Sequence, residues 1–371
     1  MTPEPKLSLT AEEQVARARA DLRIGAPVAL ISPSGGALVV AAETLTQARL
    51  AALRAAGPEA LDLAITHRRA ETLRARAYDG ELARVVVPLG ADAAWVRATA
   101  DPSHDLATPL KGPYATRREG PSELHALALA LAKQARLLPA AVMALWSDAG
   151  LVRSLAAGAG LTTLTGDLMR RAAEAAPRME RVSHARLPTR FAEAGRCHVF
   201  RPADGGEEHY AIEIGQPSRT APVLARLHSA CFTGDVLGSL KCDCGAQLAA
   251  ALTRIAATGA GILLYMNQEG RGIGLANKMR AYALQDQGYD TVEANHRLGF
   301  EDDERDFRLG AEMLKTMGFG AVRLMTNNPA KIAMMREAGI EVTERVALKV
   351  GRTAHNEAYL ATKAAKSGHL L

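Results

Sequence analysis

Three of the chain's four cysteines lie within fourteen positions: Cys231, then ten residues, then Cys242, Asp243 and Cys244. Thiolates suit zinc. Three protein ligands leave the fourth tetrahedral position open, as a catalytic zinc requires for water or substrate, whereas structural sites close with four. For Cys242 and Cys244 to converge on one ion the chain has to turn there, and Gly245 permits it. On spacing alone three buried, inert cysteines remain an equal reading, because C-x10-C-x-C is far weaker than a paired CxxC framework.

Other polar segments follow apolar runs. NQEGRGIG (267–274) comes directly after an apolar strand at 261–266, with a helix expected from Leu275. Ligands of open α/β sheets bind beyond the carboxyl ends of strands, and helix N-termini attract phosphate. Glycines there let backbone approach a ligand, Arg271 offers a phosphate fork, and Glu269 can accept hydrogen bonds from a nucleobase edge. A plain turn explains the glycines equally well. TNNPAK (326–331) repeats the logic after a strand at 321–325, with a hydroxyl and Lys331 at the mouth of the next helix. Its competing reading is an N-cap and a solvated lysine. The charge run 301–306 usually signals solvated surface, but Asp303 and Arg305 can supply a base and a clamp for an anionic substrate.

These segments need a scaffold. A chain of 371 residues with 48% hydrophobic content suits two domains with sizeable cores. Residues 11–170 are rich in Ala, Leu and Arg. The charged stretch 168–186, with a proline in its middle, reads as a helix end and linker. Beyond it, short β-rich runs at 209–214, 222–230, 261–267 and 321–326 alternate with helical stretches. One of these, 245–259, sets Leu248, Leu252 and Ile255 on one face. That alternation argues for an α/β domain. No eighteen-residue apolar run exists and no basic n-region opens the chain, so neither membrane partner nor secretory signal is expected. Few cysteines then point to a reducing cytoplasm. A net charge of +5 fits a small anionic substrate and is too weak to argue for nucleic acid.

The second half resembles GTP cyclohydrolase II, the first enzyme of bacterial riboflavin synthesis. The segments that carry the resemblance are ARLHSACFTGDVLGSLKCDCGAQL (225–248), LLYMNQEGRGIGLANKMRAYALQDQGYDTVEANHRLGF (263–300), DDERDF (302–307), RLMTNNPAKI (323–332) and SGHLL (367–371). The resemblance implies one zinc per chain on Cys231, Cys242 and Cys244. It implies GTP contacts at Arg226, Leu227, His228, Ser229, Ala230, Gln247, Glu269, Gly270, Arg271, Thr291, Thr326 and Lys331. Asp303 matches the family's proton acceptor, Arg305 its proposed nucleophile on the α-phosphate, and Tyr282 a tyrosine linked to completing ring opening. The reaction it implies opens the imidazole ring of GTP, releases C8 as formate and cleaves pyrophosphate. It further implies hydroxide supplied by zinc, magnesium accompanying the triphosphate, and a homodimer. Arginine stays protonated, so Arg305 reads better as a phosphate clamp than as a nucleophile. Ala230 stands where the family usually has Glu, and Asn267 where it usually has Arg or another basic group.

The first half is similar to 3,4-dihydroxy-2-butanone 4-phosphate synthase through residues 18–30, 39–46, 101–112 and 116–143. Its acidic metal loop is replaced by Ser32-Pro33-Ser34-Gly35-Gly36, a family histidine falls on Pro121 and a late glutamate on Ala144. The expectation is therefore two domains. Residues 1–175 form a degenerate α+β synthase-like domain, and residues 176–371 an α/β cyclohydrolase domain with a zinc site. The alternatives are a paralogue that opens the ring partially or acts in pyrimidine catabolism, and a non-catalytic zinc or nucleotide-binding regulator.

Overall fold

The strongest local signals at the start of the chain are caps. In the computed structural model, which describes residues 7–348 and Val350, Thr10 accepts from the Glu13 N–H while Glu13 returns the bond, and helix α1 (Ala11–Arg23) begins. Contacts divide the chain into two units. The first runs to Ala175 and adds Ala276–Tyr289 and Glu293–Asp302; the second takes Ala176–Leu275, Asp290–Val292 and the residues from Asp303 on. No helix among the described residues is long and apolar enough to cross a membrane.

In the first unit α1 is followed by β1 (Val28–Ser32), β2 (Gly35–Ala41), α2 (Gln47–Ala55), β3 (Ala60–Thr66), α3 (His67–Leu73), β4 (Leu82–Val86), α4 (Ala93–Ala100), α5 (Glu123–Gln134), β5 (Ala140–Trp146), α6 (Ala149–Gly158), β6 (Thr163–Thr165) and α7 (Gly166–Glu174). The sheet order is β4-β3-β5-β2-β1-β6, antiparallel except at β1/β6. Alternate residues Val28, Leu30, Ala37, Val39 and Ala41 pack with Val15, Leu22, Leu124, Ala128, Leu168 and Met169, so α1, α5 and α7 cover one face. The segment lacking carboxylates is a tight β1–β2 hairpin in which Ser32 pairs with Gly35 and the Ser32 and Ser34 hydroxyls lie 2.8 Å apart.

Two helices from late in the chain join this unit: α9 (Leu275–Asp286), from Ala276 onward, and α10 (Thr291–Leu298), from Glu293 onward. Arg280 holds α9 there. Its guanidinium donates to Asp101 at 3.0 Å, to Glu43 at 3.0 Å and to Asn277 at 2.7 Å, while Asn277 donates to the Arg136 carbonyl at 3.1 Å.

The second unit contains β7 (Met179–Arg186), β8 (Gly195–Pro202), β9 (His209–Ile214), β10 (Val223–Ser229), α8 (Cys244–Ala257), β11 (Gly261–Met266), α11 (Arg308–Thr316), β12 (Ala321–Met325), α12 (Pro329–Glu337) and β13 (Glu341–Val346). Its sheet order is β13-β12-β10-β11-β9-β8-β7, parallel at β13/β12, β12/β10 and β10/β11 and antiparallel beyond. Ala251, Leu252 and Ile255 of α8 pack with Leu224, Leu263 and Met325. Met313, Leu314 and Met335 of α11 and α12 pack with the opposite set, Ala225, Leu227, Leu264 and Leu324. The parallel strands are thus covered on both faces, as their near-continuous apolar sequences require.

One expectation fails here. The stretch 168–186 is not only helix end and linker, because residues 179–186 form β7. This edge strand is exposed from Glu180 to Arg186, so it carries no apolar alternation for sequence reading to find.

Next to it sits a buried ionic group. Glu213 accepts from His198 Nε2 at 2.8 Å and from Arg219 at 2.7 Å. Burial pushes the Glu213 carboxyl up, but His198 and Arg219 outweigh it and hold the pKa at about 2. A depressed carboxylate pKa stabilises the fold above its unfolded value, and that contribution is lost as pH falls toward the folded value. Acid unfolding between about pH 4.5 and 2 should therefore lose on the order of 2–3 kcal/mol from this residue. In Glu213→Gln, denaturant midpoints measured over that window should flatten. An unchanged acid slope would refute the linkage.

Candidate functional site

The cysteines meet where β10 ends. Cys231 follows β10 by one residue, a wide turn (Phe232–Val236) carries the chain away, and Cys242 and Cys244 return at the start of α8. The three Sγ atoms lie within 4.8 Å of one another, and Cys231 Sγ is 3.7 Å from Cys242 Sγ. Tetrahedral zinc–sulfur bonds of about 2.3 Å place sulfurs about 3.8 Å apart, so this pair fits. Neighbouring Cys231 and Cys242, with burial, push the Cys244 thiol well above its usual range. Three sulfurs this close ionise together only beside a cation.

Two glycines make the arrangement possible. A Cβ on Gly234 would lie 2.7 Å from Cys242 Sγ and 3.1 Å from Cys231 Sγ. Gly245, expected to permit a turn, has another task. It sits in the first turn of α8, and a Cβ there would meet the Gly234 carbonyl at 2.3 Å. The chain turns by entering the helix at Cys244.

Asp235 organises the wide turn. Its carboxylate accepts the Cys231 N–H at 3.0 Å, the Tyr265 hydroxyl at 2.9 Å and His228 Nε2 at 3.0 Å. Burial lowers the pKa of His228 against the pull of Asp235. Asp243, between two of the cysteines, is 1% exposed and accepts from Gln247 Nε2 at 2.5 Å. Sequence reading missed both aspartates. Asp235 lies inside the segment 225–248 that carries the resemblance, but an acid in a turn looks like surface.

The remaining candidates gather along β10 and past the ends of its neighbours. Arg226 donates to the Met325 carbonyl at 3.0 Å and to Gln247 Oε1 at 2.5 Å. Burial draws its pKa down to about 10, so it stays charged. Its Nε is buried with no hydrogen-bond partner among the described residues. An orphan donor of that kind marks room for an acceptor. Leu227 packs into the core, and its carbonyl accepts Lys331 Nζ at 3.1 Å. The Ala230 N–H goes to the Met266 carbonyl at 2.8 Å.

Beyond β11, Glu269 accepts the Phe232 N–H at 2.6 Å, and Gly270 and Arg271 are successive left-handed residues with φ of 63° and 62°. A left-handed arginine is uncommon. Here the Glu304 N–H to Arg271 carbonyl bond, 2.9 Å, helps hold it. Asn267 Nδ2 donates to the Glu208 carbonyl at 2.5 Å. Arg305 grips Asp303 with two nitrogens, at 2.7 and 2.5 Å, and reaches Ser229 Oγ at 3.1 Å. Burial raises the Asp303 pKa, but Arg305 outweighs it and the net shift is downward, so this carboxylate is ionised. Arg305 and Lys331 approach one Phe307 ring, at 4.8 and 4.9 Å from its centre. Thr326, buried, accepts the Asn328 N–H at 3.0 Å. Thr291 starts α10 within the second unit. Tyr282 lies on the part of α9 that belongs to the first unit, its ring 5.6 Å from Lys278 Nζ. The tail 367–371 lies outside the described residues.

The second unit therefore brings three thiols, the carboxylates of Asp235, Asp243, Glu269 and Asp303, and the cations Arg226, Arg305 and Lys331 around the carboxyl end of β10. The connections from β10 leave for β11 on one side, and β12 lies on the other. That is a switch point, where open α/β sheets bind ligands.

The family model for GTP cyclohydrolase II matches residues 180–347. A GTP cyclohydrolase-2 of Azospirillum brasilense is 44% identical over 376 residues, covering 99% of this chain and 97% of the relative. The GTP cyclohydrolase-2 of Cronobacter sakazakii is 59% identical over 193 residues, 52% of this chain and 98% of its own length. A two-domain 3,4-dihydroxy-2-butanone 4-phosphate synthase from A. baumannii overlays 91% of this chain and 99% of its own, at 15% identity and a TM-score of 0.32, too low to carry any conclusion.

Proposed function

Because the chain belongs to the GTP cyclohydrolase II family, an enzyme family of the riboflavin pathway, we propose that its second unit opens the imidazole ring of GTP at the end of β10, releasing formate and pyrophosphate. The observation that carries this is the pairing of the three-thiol cluster with the buried Arg226, whose Nε lacks a partner among the described residues. Cys231, Cys242 and Cys244 would hold zinc, which when bound brings the pKa of a water to about 7.

The chain's own groups divide the remaining work. Asp235 fixes the backbone of Cys231, and Asp243 fixes Gln247, which in turn fixes Arg226. Arg226, Gln247 and Glu269 then form the wall that meets the base. Arg271, Lys331 and Arg305 meet the triphosphate, with Gly270, Thr291 and Thr326 lining it. Arg305 clamps the α-phosphate, because a guanidinium with a pKa above about 12 is a poor nucleophile. Asp303 holds that fork in plane. Tyr282 lies in the first unit, so the role in completing ring opening rests for it on the resemblance alone. The first unit has no synthase chemistry: its β1–β2 hairpin carries serine and glycine where magnesium would need carboxylates.

The test is product analysis by mass spectrometry after incubating the full chain with GTP, zinc and magnesium. Cys242→Ser should lose its zinc and at least about a hundredfold in turnover, while Cys197→Ser keeps both. The same incubation with ribulose 5-phosphate should leave the sugar phosphate intact. Zinc retained in Cys242→Ser, or unconverted GTP with zinc-loaded protein, would overturn the reading.

A further inference from the structure

The second unit carries another cationic site, at the opposite ends of the strands. Glu213 pairs with Ile262 near the start of β11, whereas Ser229 and Met266 mark the end where the thiols lie. There Arg181, His184 and Arg186 of β7, Arg196 and His198 of β8, and Arg219 line a groove of about 660 Å³. That volume suits a small-molecule ligand, for which about 300–1,000 Å³ is usual.

The strand register makes the groove costly. Arg186 stands directly opposite Arg196, and His184 opposite His198, their rings stacked 5.4 Å apart. Like charges directly opposite destabilise a sheet. The only acid of the row is Glu213, opposite Arg196, but it is spent on His198 and Arg219. Arg186 reaches Glu193 only at 3.9 Å, with both side chains largely exposed. Arg181 and Arg196 have no ion-pair partner among the described residues. His198 adds an independent sign. It is 2% exposed, its Nε2 faces Glu213, and its Nδ1 is buried with no hydrogen-bond partner among the described residues. Nδ1 is therefore the one buried ring atom of His198 left for a ligand in the groove that this residue lines.

We propose that this groove binds a small anion carrying linked phosphoryl groups, with Arg181, Arg186 and Arg196 around its oxygens and the buried His198 at its floor. An oligophosphate supplies several acceptors along a row of guanidiniums and removes the repulsion between Arg186 and Arg196. Free pyrophosphate and the phosphate end of a nucleotide share this chemistry.

Titration calorimetry of the full chain, its thiol-end site first saturated with a non-hydrolysable GTP analogue, tests it, with inorganic pyrophosphate in one arm and ATP in the other, on wild type and Arg196→Gln at low salt. Pyrophosphate should bind at least about tenfold more weakly to the variant, whose turnover of GTP stays within twofold of wild type. Without ligand the variant should melt no lower than wild type, since a like-charge pair is gone. ATP binding at least tenfold tighter than pyrophosphate, with the same sensitivity to Arg196→Gln, identifies a nucleotide; equal binding identifies free oligophosphate. The proposal is overturned by pyrophosphate binding equal in the two proteins, by no saturable binding, or by an unliganded melting point several degrees lower in Arg196→Gln, which would make the arginine structural.

Discussion

Gly234→Ala should empty the thiol cluster of metal while the protein stays folded. The added methyl would sit 2.7 Å from Cys242 Sγ, 3.1 Å from Cys231 Sγ and 3.1 Å from the Cys244 Cβ. Real carbon–sulfur contacts do not close that far, so at least one sulfur must move. The pair now at 3.7 Å would lose the spacing that one tetrahedral ion demands. The turn cannot retreat, because the Gly234 carbonyl already lies against Gly245. Groups that merely orient metal ligands are worth about 10–100-fold in affinity, and a side chain driven into the ligand set should exceed the upper figure. Elemental analysis and chelator competition measure the loss, and circular dichroism checks the fold. Gly320→Ala is the control, since nothing lies within 4 Å of a Cβ there. One equivalent of tightly held zinc in Gly234→Ala would remove the cluster from the mechanism.

Arg305→Lys should cost turnover by about 10²–10³-fold with zinc content unchanged. Arg305 uses two nitrogens on Asp303 and a third on Ser229 Oγ, the hydroxyl two residues before Cys231. A lysine keeps the charge but has one nitrogen, so it cannot satisfy both partners and also meet a phosphate in a defined plane. Asp303 would then keep the backbone N–H of residue 305 but lose the two-nitrogen fork. The loss should fall mainly on kcat, because a clamp that tightens as charge develops on the phosphate acts in the transition state. A guanylyl adduct trapped on Arg305 by mass spectrometry would refute the clamp. Normal turnover in Arg305→Lys would return residues 301–306 to the solvated surface.

Much of the second unit was legible as strand and helix. The runs at 209–214, 223–229, 261–266 and 321–325 are strands because they are apolar enough to be buried on one or both faces. The helix carrying Leu252 and Ile255 is where its periodicity places it. Strand β7 was not legible. Seven of its eight residues are exposed, so hydrophobic pattern has nothing to report and only pairing with β8 makes it a strand. The resemblance gave the segment 226–230 as one set of GTP contacts. Its members differ in the fold: Leu227 is core, His228 is committed to Asp235, and Arg226 keeps a free Nε.

Residue type and spacing by themselves determined which chemistry was on offer: three thiols for one ion, cations after strand ends, and an acid–arginine pair two residues apart. These are local, and a short window of sequence contains them. Tertiary structure alone decided who serves whom. Arg226 is held by a carbonyl ninety-nine residues away, and Arg280 ties α9 to Glu43 and Asp101 rather than to the strands that precede it in the chain. Gly234 is obligatory because sulfur atoms from two other segments occupy the space its side chain would need. Such dependences are set by packing between distant segments, and local periodicity carries no information about which segments will meet.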